Sequence, residues 1–353
     1  MTASINAANF LMLSTFWIAA VGYLLGRITI KGISLGTAGV FVIALVYGAF
    51  FGTRFNSRFV IEEINYASQA LKIIENLGLV FFVTSVGFIA GPNFFHNLKR
   101  NAKSYVPLGA IIILIGAVCT VIFALIPGIG SDYSTGILSG ALTSTPAFSA
   151  AKAVAKQEGM VALGHAVAYP FGVIGVVLFV QIVPKILHAD MAAERQLIQG
   201  GDEEYAPKEI KRYLTEFDEF GFAAFGFAIL LGILLGSIKI PLTGAGFDGA
   251  CFSLGNTGGP LIIALILGHF GHMGRINLRI PSSTLKVFRE LGLMLFLIGA
   301  GVSGGMSFVR YFKPIYFVYG IFMTLLPMVM GYVVAKHVLK MNLLNILGSI
   351  TGG

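Results

Sequence analysis

Residues Tyr133 to Gln157 read YSTGILSGALTSTPAFSAAKAVAKQ: an apolar stretch to Leu142, then Thr143-Ser144-Thr145-Pro146, then a second run carrying Lys152 and Lys156. Pro146 removes a helical donor and favours the first turn of a new helix, so the spacing predicts helix, break, helix. The break bears on the fold because backbone groups freed inside a bilayer are tolerated only where protein or a water-filled cavity satisfies them. Around it, apolar segments long enough to cross about 30 Å of hydrocarbon lie near residues 9–26, 35–52, 77–95, 105–126, 162–187, 219–237, 252–270, 288–309 and 314–335. The 353 residues are 56% hydrophobic and 11% charged, with a mean hydropathy of +0.85. A soluble domain carries about 25% charged residues to solvate its surface. The composition therefore predicts an all-α polytopic membrane protein.

The net charge of +8 comes from short Lys and Arg clusters between apolar runs, with no basic face that would read a nucleic acid. Cys119 and Cys251 lie far apart in apolar surroundings and offer neither a disulfide framework nor a CxxC metal site. The N-terminus has no basic n-region or small-residue cleavage site, so the first span is expected to stay. Nine of the sixteen acids fall between Asp190 and Glu219, which marks residues 188–218 as the one polar connector of any size, expected to form two short amphipathic pieces around Gly200-Gly201. HExxH and Walker sequences are absent, so zinc-hydrolase and ATP-driven pump readings have no sequence support. The protein is not expected to be an enzyme or to need a cofactor.

The chain is duplicated. Ser34-Leu35-Gly36-Thr37-Ala38-Gly39 recurs as Ser253-Leu254-Gly255-Asn256-Thr257-Gly258 at an offset of 219, and Leu77-Gly78-Leu79 recurs as Leu291-Gly292-Leu293 at 214. Gly140-Ala141 aligns with Gly352-Gly353 at 212, so the second copy of the break is expected beyond the chain's last residue and the second repeat is read as truncated. This gives a first membrane repeat at 1–187, a cytoplasmic connector at 188–218 and an incomplete second repeat at 219–353. If 133–157 re-enters as a hairpin, each repeat has five crossings and the halves are inverted; if every element crosses, the halves are parallel. The hairpin arrangement puts sixteen of the 24 Lys and Arg on one side, the alternative fourteen. The stronger asymmetry favours the inverted arrangement, with the N-terminus outside and the connector in the cytoplasm.

Gly87 to Phe95 (GFIAGPNFF), Gly140 to Pro146 (GALTSTP), Ser253 to Pro260 (SLGNTGGP) and the duplication together resemble the bacterial aspartate:alanine exchanger family over nearly the whole chain. The resemblance implies a secondary transporter that exchanges small amino acids or dicarboxylates, some members exporting succinate-like acids. Many members carry soluble regulatory domains between the halves, where this chain has only its short connector.

Thr143, Ser144 and Thr145 supply hydroxyls at the break, and the positive end of the half-helix started by Pro146 can face a carboxylate without a buried Arg. The competing reading is a proline kink whose hydroxyls bond back to carbonyls. Ser149, Asn256, Thr257, Gly258 and Gly259 complete the candidate substrate site, with Asn93 and Ser303 as weaker members; Asn256 or Thr257 could instead cap its helix. Gly87, Gly91, Gly299, Gly301, Gly304 and Gly305 read as close-packing positions. Glu75 and Glu290 read as helix-start acids complementing the dipole. His165 reads as interfacial, and His269 with His272 as a loop-end pair without a third metal ligand.

The sequence thus points to an antiporter of small carboxylates or amino acids in the bacterial inner membrane, using alternating access around residues 140–149 and 253–260. Its partners are the bilayer and a small anionic or zwitterionic substrate, with no metal and with H⁺ or Na⁺ as possible coupling ions. Alternatives are a cation-coupled uniporter or exporter of organic acids, and a channel-like or lipid-binding membrane protein. The segments at 9–26 and 219–237, aromatic and without breaks, suit the scaffold of a homodimer.

Overall fold

A computed structural model describes residues 2–30, 33–126, 128–194, 215, 218–241, 244, 246–248, 251–311 and 314–351. Among them are eleven α-helices: α1 Thr2–Arg27, α2 Ala38–Arg58, α3 Ala67–Ala124, α4 Gly130–Ala141, α5 Thr145–Val154, α6 Glu158–Ile186, α7 Phe222–Gly236, α8 Gly255–Phe270, α9 Ser282–Tyr311, α10 Pro314–His337 and α11 Leu343–Thr351. Six segments are long and apolar enough to cross a membrane: Asn6–Arg27, Ala38–Arg58, Ala67–His96, Asn101–Ala124, Glu158–Ile186 and Val318–His337. This is a multi-pass membrane protein.

The spans at 77–95 and 105–126 fall in two separate membrane-length segments, Ala67–His96 and Asn101–Ala124, both within α3 because Asn97 to Lys103 between them contains no glycine or proline. One expectation is corrected: the chain is not purely helical. Four two-stranded antiparallel hairpins join helices: β1 Thr29–Ile30 with β2 Ile33–Ser34, β3 Val60–Ile61 with β4 Ile64–Asn65, β5 Ile240–Pro241 with β6 Cys251–Phe252, and β7 His272–Met273 with β8 Ile276–Asn277. Glu62 and Glu63 turn the second at φ 50° and 66°, and Gly274 sits in the turn of the fourth at φ 62°. Most of the connector, residues 195–214, 216 and 217, lies outside the described residues.

The chain divides into two compact units. The first comprises Met1–Ser68, Asn101–Glu203 and Ala300–Gly353. In it α1 meets α2 through Gly22, Gly26 and Gly39; a Cβ on Gly39 would fall 2.6 Å from the Gly22 carbonyl. The end of α9 meets α2, with a Cβ on Gly301 2.6 Å from the Ala44 Cβ. Leu343, Ile346, Leu347 and Ile350 bury one stripe of α11 against Leu108, Ile112, Phe179 and Met328. A second cluster joins Cys119, Tyr133, Ile137, Ala168 and Met323.

The second unit comprises Gln69–Arg100 and Glu204–Gly299. Here α7 meets α8 through Gly232, Gly236 and Gly259, whose contacts match those of Gly22, Gly26 and Gly39, one residue on from the Gly258 that the sequence repeat aligns with Gly39. A Cβ on Gly87 would fall 2.6 Å from the Ala264 Cβ, as Gly301 does with Ala44. The duplication seen in sequence therefore recurs as duplicated contacts. Of the six glycines read as packing positions, Gly304 has nothing within 4 Å and the other five face a neighbouring helix. Phe81, Phe88, Phe225 and Phe288 form this unit's aromatic core.

Candidate substrate site

Helix α4 ends in a Schellman turn. Thr143 N–H donates to the Gly140 carbonyl at 3.0 Å and Ser144 N–H to the Ser139 carbonyl at 2.8 Å. This closure needs a left-handed residue, and Thr143 takes it at φ 50°. Glycine usually fills that position, and a β-branched residue there is a strained outlier. Ser144 then turns extended and caps α5, its Oγ accepting from Ala147 N–H at 3.3 Å, with Pro146 in the first turn. Neither hydroxyl bonds back to a carbonyl among the described residues, and Thr143 Oγ1 has no hydrogen-bond partner there at all. Its methyl faces α6, where a Cβ on Gly172 would lie 2.8 Å away. The backbones of Thr145, Pro146 and Ser149 belong to α5; their side chains lie outside the described set.

His165, read from sequence as interfacial, packs against this break instead. Ser139 Oγ lies 2.9 Å from His165 Nδ1 and 2.9 Å from the Gly136 carbonyl. Because the hydroxyl proton goes to the carbonyl, the bonding pattern assigns Nδ1–H as the donor to Ser139. The ring stacks on Phe148 of α5 at 4.2 Å and 28°, and Tyr169 lies 5.3 Å away. Phe148 also carries the Lys152 ammonium 5.5 Å from its centroid, and Lys152 pairs with Glu158 at 3.7 Å. Gly136 and Gly140 on α4 and Gly164 on α6 allow the close approach that brings the ring here. The signal available in the sequence was the four-residue spacing of Gly136 and Gly140, which frames Ser139.

The other candidates stand elsewhere. Asn256 and Thr257 occupy the first turn of α8, and the capping reading fails for both: the cap position is Leu254 and no side chain bonds there. Asn256 is exposed and Thr257 half-buried. Gly258 faces the Leu254 side chain, with 3.2 Å to a Cβ, and Gly259 packs on Gly232 and Gly236. Asn93, exposed on α3, belongs to the second unit, and Ser303, half-buried on α9, to the first. Glu75 and Glu290 lie in the third turn of their helices, too deep for the dipole explanation, which fades within the first turn. Glu290 pairs with Arg289 at 3.1 Å. His269 and His272 each bury an Nδ1 without a hydrogen-bond partner, and among the described residues no three His, Cys, Asp or Glu group as a metal site.

The family described as the predicted permease membrane region of the aspartate:alanine exchangers matches residues 14–185 and 224–353. The chain belongs to this family. An uncharacterized transporter of Bacteroides fragilis is 26% identical over 496 aligned positions, covering 96% of this chain and 89% of the relative. The aligned length exceeds the 353 residues here, so that relative carries residues with no counterpart in this chain. An uncharacterized transporter of Rhodopirellula baltica is 37% identical over 169 residues, 48% of this chain and 29% of the relative. No solved structure matches. The two segments matched to the permease family contain, respectively, the Thr143 break and the start of α8.

This permease chain also has a cavity of about 350 Å³ in its second unit, lined by Asp218, Gly221, Phe227, Met273, Ile276 and Arg279. Asp218 serves α7 there: its carboxylate accepts from Phe222 N–H at 2.7 Å and Ala223 N–H at 2.9 Å. The Ala223 amide first, and those of Phe222, Gly221 and Phe220 after it, hold this carboxyl below its ordinary value.

Proposed function

We propose that the protein is a secondary active antiporter of small carboxylates or amino acids, of the aspartate, alanine or C4-dicarboxylate type, working by alternating access in the bacterial inner membrane. The observation that carries this reading is Thr143: it holds a strained left-handed backbone at a membrane helix break while its hydroxyl stays unbonded among the described residues. Strain of this kind persists where the surroundings over-determine it and clusters at ligand sites. The start of α5 adds the positive end of a helix for a carboxylate. In this reading Ser144, Thr145, Pro146 and Ser149 join Thr143 in the first unit, and Asn256, Thr257, Gly258 and Gly259 at the start of α8 are the substrate-binding candidates of the second unit.

The inverted repeat belongs to the same proposal. It draws support from Gly292 and Gly299 of α9, which face Gly78 and then Glu75 and Leu71 of α3 as α9 advances, so the two equivalent helices run antiparallel where they meet. The proposal includes the N-terminus outside and a homodimer with α1 and α7 in its scaffold. No cofactor takes part. Counterflow in proteoliposomes tests the function: preloaded substrate accelerates uptake of label through an exchanger and leaves a channel or a lipid-binding protein unaffected.

A cation-coupled exporter is the second reading, and Glu75 favours it. This carboxylate lies within the span Ala67–His96 and forms no ion pair within 4 Å among the described residues. Such residues are costly in a membrane and mark ion pathways. Loss of Na⁺- or proton-driven efflux in Glu75→Gln, with exchange intact, would establish it.

A further inference from the structure

His165 is an imidazole at the hairpin break, and its two nitrogens are treated differently. Nδ1 is fixed by Ser139, whose own proton is committed to the Gly136 carbonyl. Nε2 has no hydrogen-bond partner among the described residues. The half-buried ring lies among Ser139 of α4, Phe148 of α5 and Tyr169 of its own helix. A packing residue has no need of a hydroxyl that sets its tautomer. Phe148 is the fourth residue after the Ser144 cap, so the ring lies within about one turn of the start of α5.

We propose that His165 selects the charge at the far end of the substrate. This rests on the break being the substrate site, with the substrate carboxylate at the start of α5. With the ring neutral, Nε2 is a lone-pair acceptor and takes a hydrogen bond from the ammonium of a zwitterionic amino acid. With the ring protonated, Nε2–H donates to a second carboxylate, so the same site takes a dicarboxylate. Histidine is the side chain whose charge ordinarily changes near neutral pH. The charged and titratable groups around it are few. From α5 comes Lys152, over Phe148 and paired with Glu158 of α6; from α6 itself comes Tyr169; from α4 comes Asp132, already accepting from Gln157 N–H at 2.8 Å. From α2 the Phe41 ring approaches Tyr169 at 5.7 Å. No carboxylate touches the ring among the described residues, so a substrate carboxylate would be its counter-ion.

The test is counterflow of labelled alanine and labelled succinate by the full chain in proteoliposomes from pH 8 to pH 4.5, for wild type, His165→Gln, Ser139→Ala and Thr143→Val. The alanine-to-succinate rate ratio should fall at least tenfold in wild type between the two ends, beyond the change in His165→Gln. The variant carries the substrates' own titration, and Gln offers donor and acceptor at every pH. Ser139→Ala, which keeps the histidine and frees Nδ1, should move the midpoint of the ratio. Thr143→Val should slow both substrates and leave the ratio's pH profile intact. Equal profiles in wild type and a folded His165→Gln would overturn the proposal, and if His165→Gln does not fold, an unmoved midpoint in Ser139→Ala does the same. Wild-type rates in Thr143→Val, or no counterflow of either compound, would overturn instead the substrate site on which it rests.

Discussion

Gly78 of α3 and Gly292 of α9 are each other's neighbours: a Cβ on Gly78 would fall 2.6 Å from the Gly292 carbonyl, and one on Gly292 would fall 2.7 Å from the Gly78 carbonyl. The two occupy equivalent places in the duplicated sequence, 214 residues apart. A contact in which each partner makes the other's interaction is what the proposed inverted repeat requires. Gly78→Val and Gly292→Val should therefore destabilise alike, by about 1–3 kcal/mol each for overpacking. Thermal unfolding in mild detergent checks this, and an unchanged midpoint in either variant speaks against the close approach.

Side preference follows from the placement of Lys and Arg. In a chain with Cys119 and Cys251 replaced by serine, Ser57→Cys in the last turn of α2 should react with an impermeant maleimide in intact cells. A cysteine at Ala102, beside Lys103, should react only after permeabilisation. The reverse pattern would invert the topology.

Helix α7 depends on a carboxylate three residues before its Gly221 cap. Asp218 titrates lower in the folded chain than the ordinary aspartate value of about 3.9. Its contribution is thus present above that value and is lost as pH falls through the lower, folded value. The difference in unfolding midpoint between wild type and Asp218→Ala should be steady from pH 8 to 5 and shrink below about pH 4. A difference that grows on acidification would contradict the assignment.

How much the sequence discloses depends on how local each determinant is. The break at Thr143 to Pro146 was legible because proline and an apolar context act within a few residues, and the helices formed close to where hydropathy placed them. The hairpins escaped because two-residue strands such as Val60–Ile61 are too short to show alternation. The spans on either side of Asn97 to Lys103 were legible because charge marks the boundary between them, while the continuity of α3 was not, since only the absence of glycine and proline signals it. His165 escaped because Ser139 is 26 residues away, and only the packing of α4 on α6 brings the two together.

Thr143 offers a separation of stability from function. Glycine at this left-handed position relieves the backbone, so Thr143→Gly should raise unfolding free energy by about 1 kcal/mol while lowering transport through loss of the hydroxyl. A variant both less stable and fully active would mean that the threonine side chain serves packing on Gly172 alone.

The central claim is that the Thr143 hydroxyl binds substrate. Thr143→Val keeps the shape, the methyl toward Gly172 and the backbone, and removes only the polar atom. The decisive measurement is its counterflow rate in proteoliposomes at matched protein density, with the unfolding midpoint recorded alongside. Loss of a hydrogen bond to a charged ligand, worth about 1.5–3 kcal/mol, predicts a fall of roughly 10- to 100-fold in exchange with the midpoint unchanged. Exchange at the wild-type rate would contradict the account and return the motif to a helix kink.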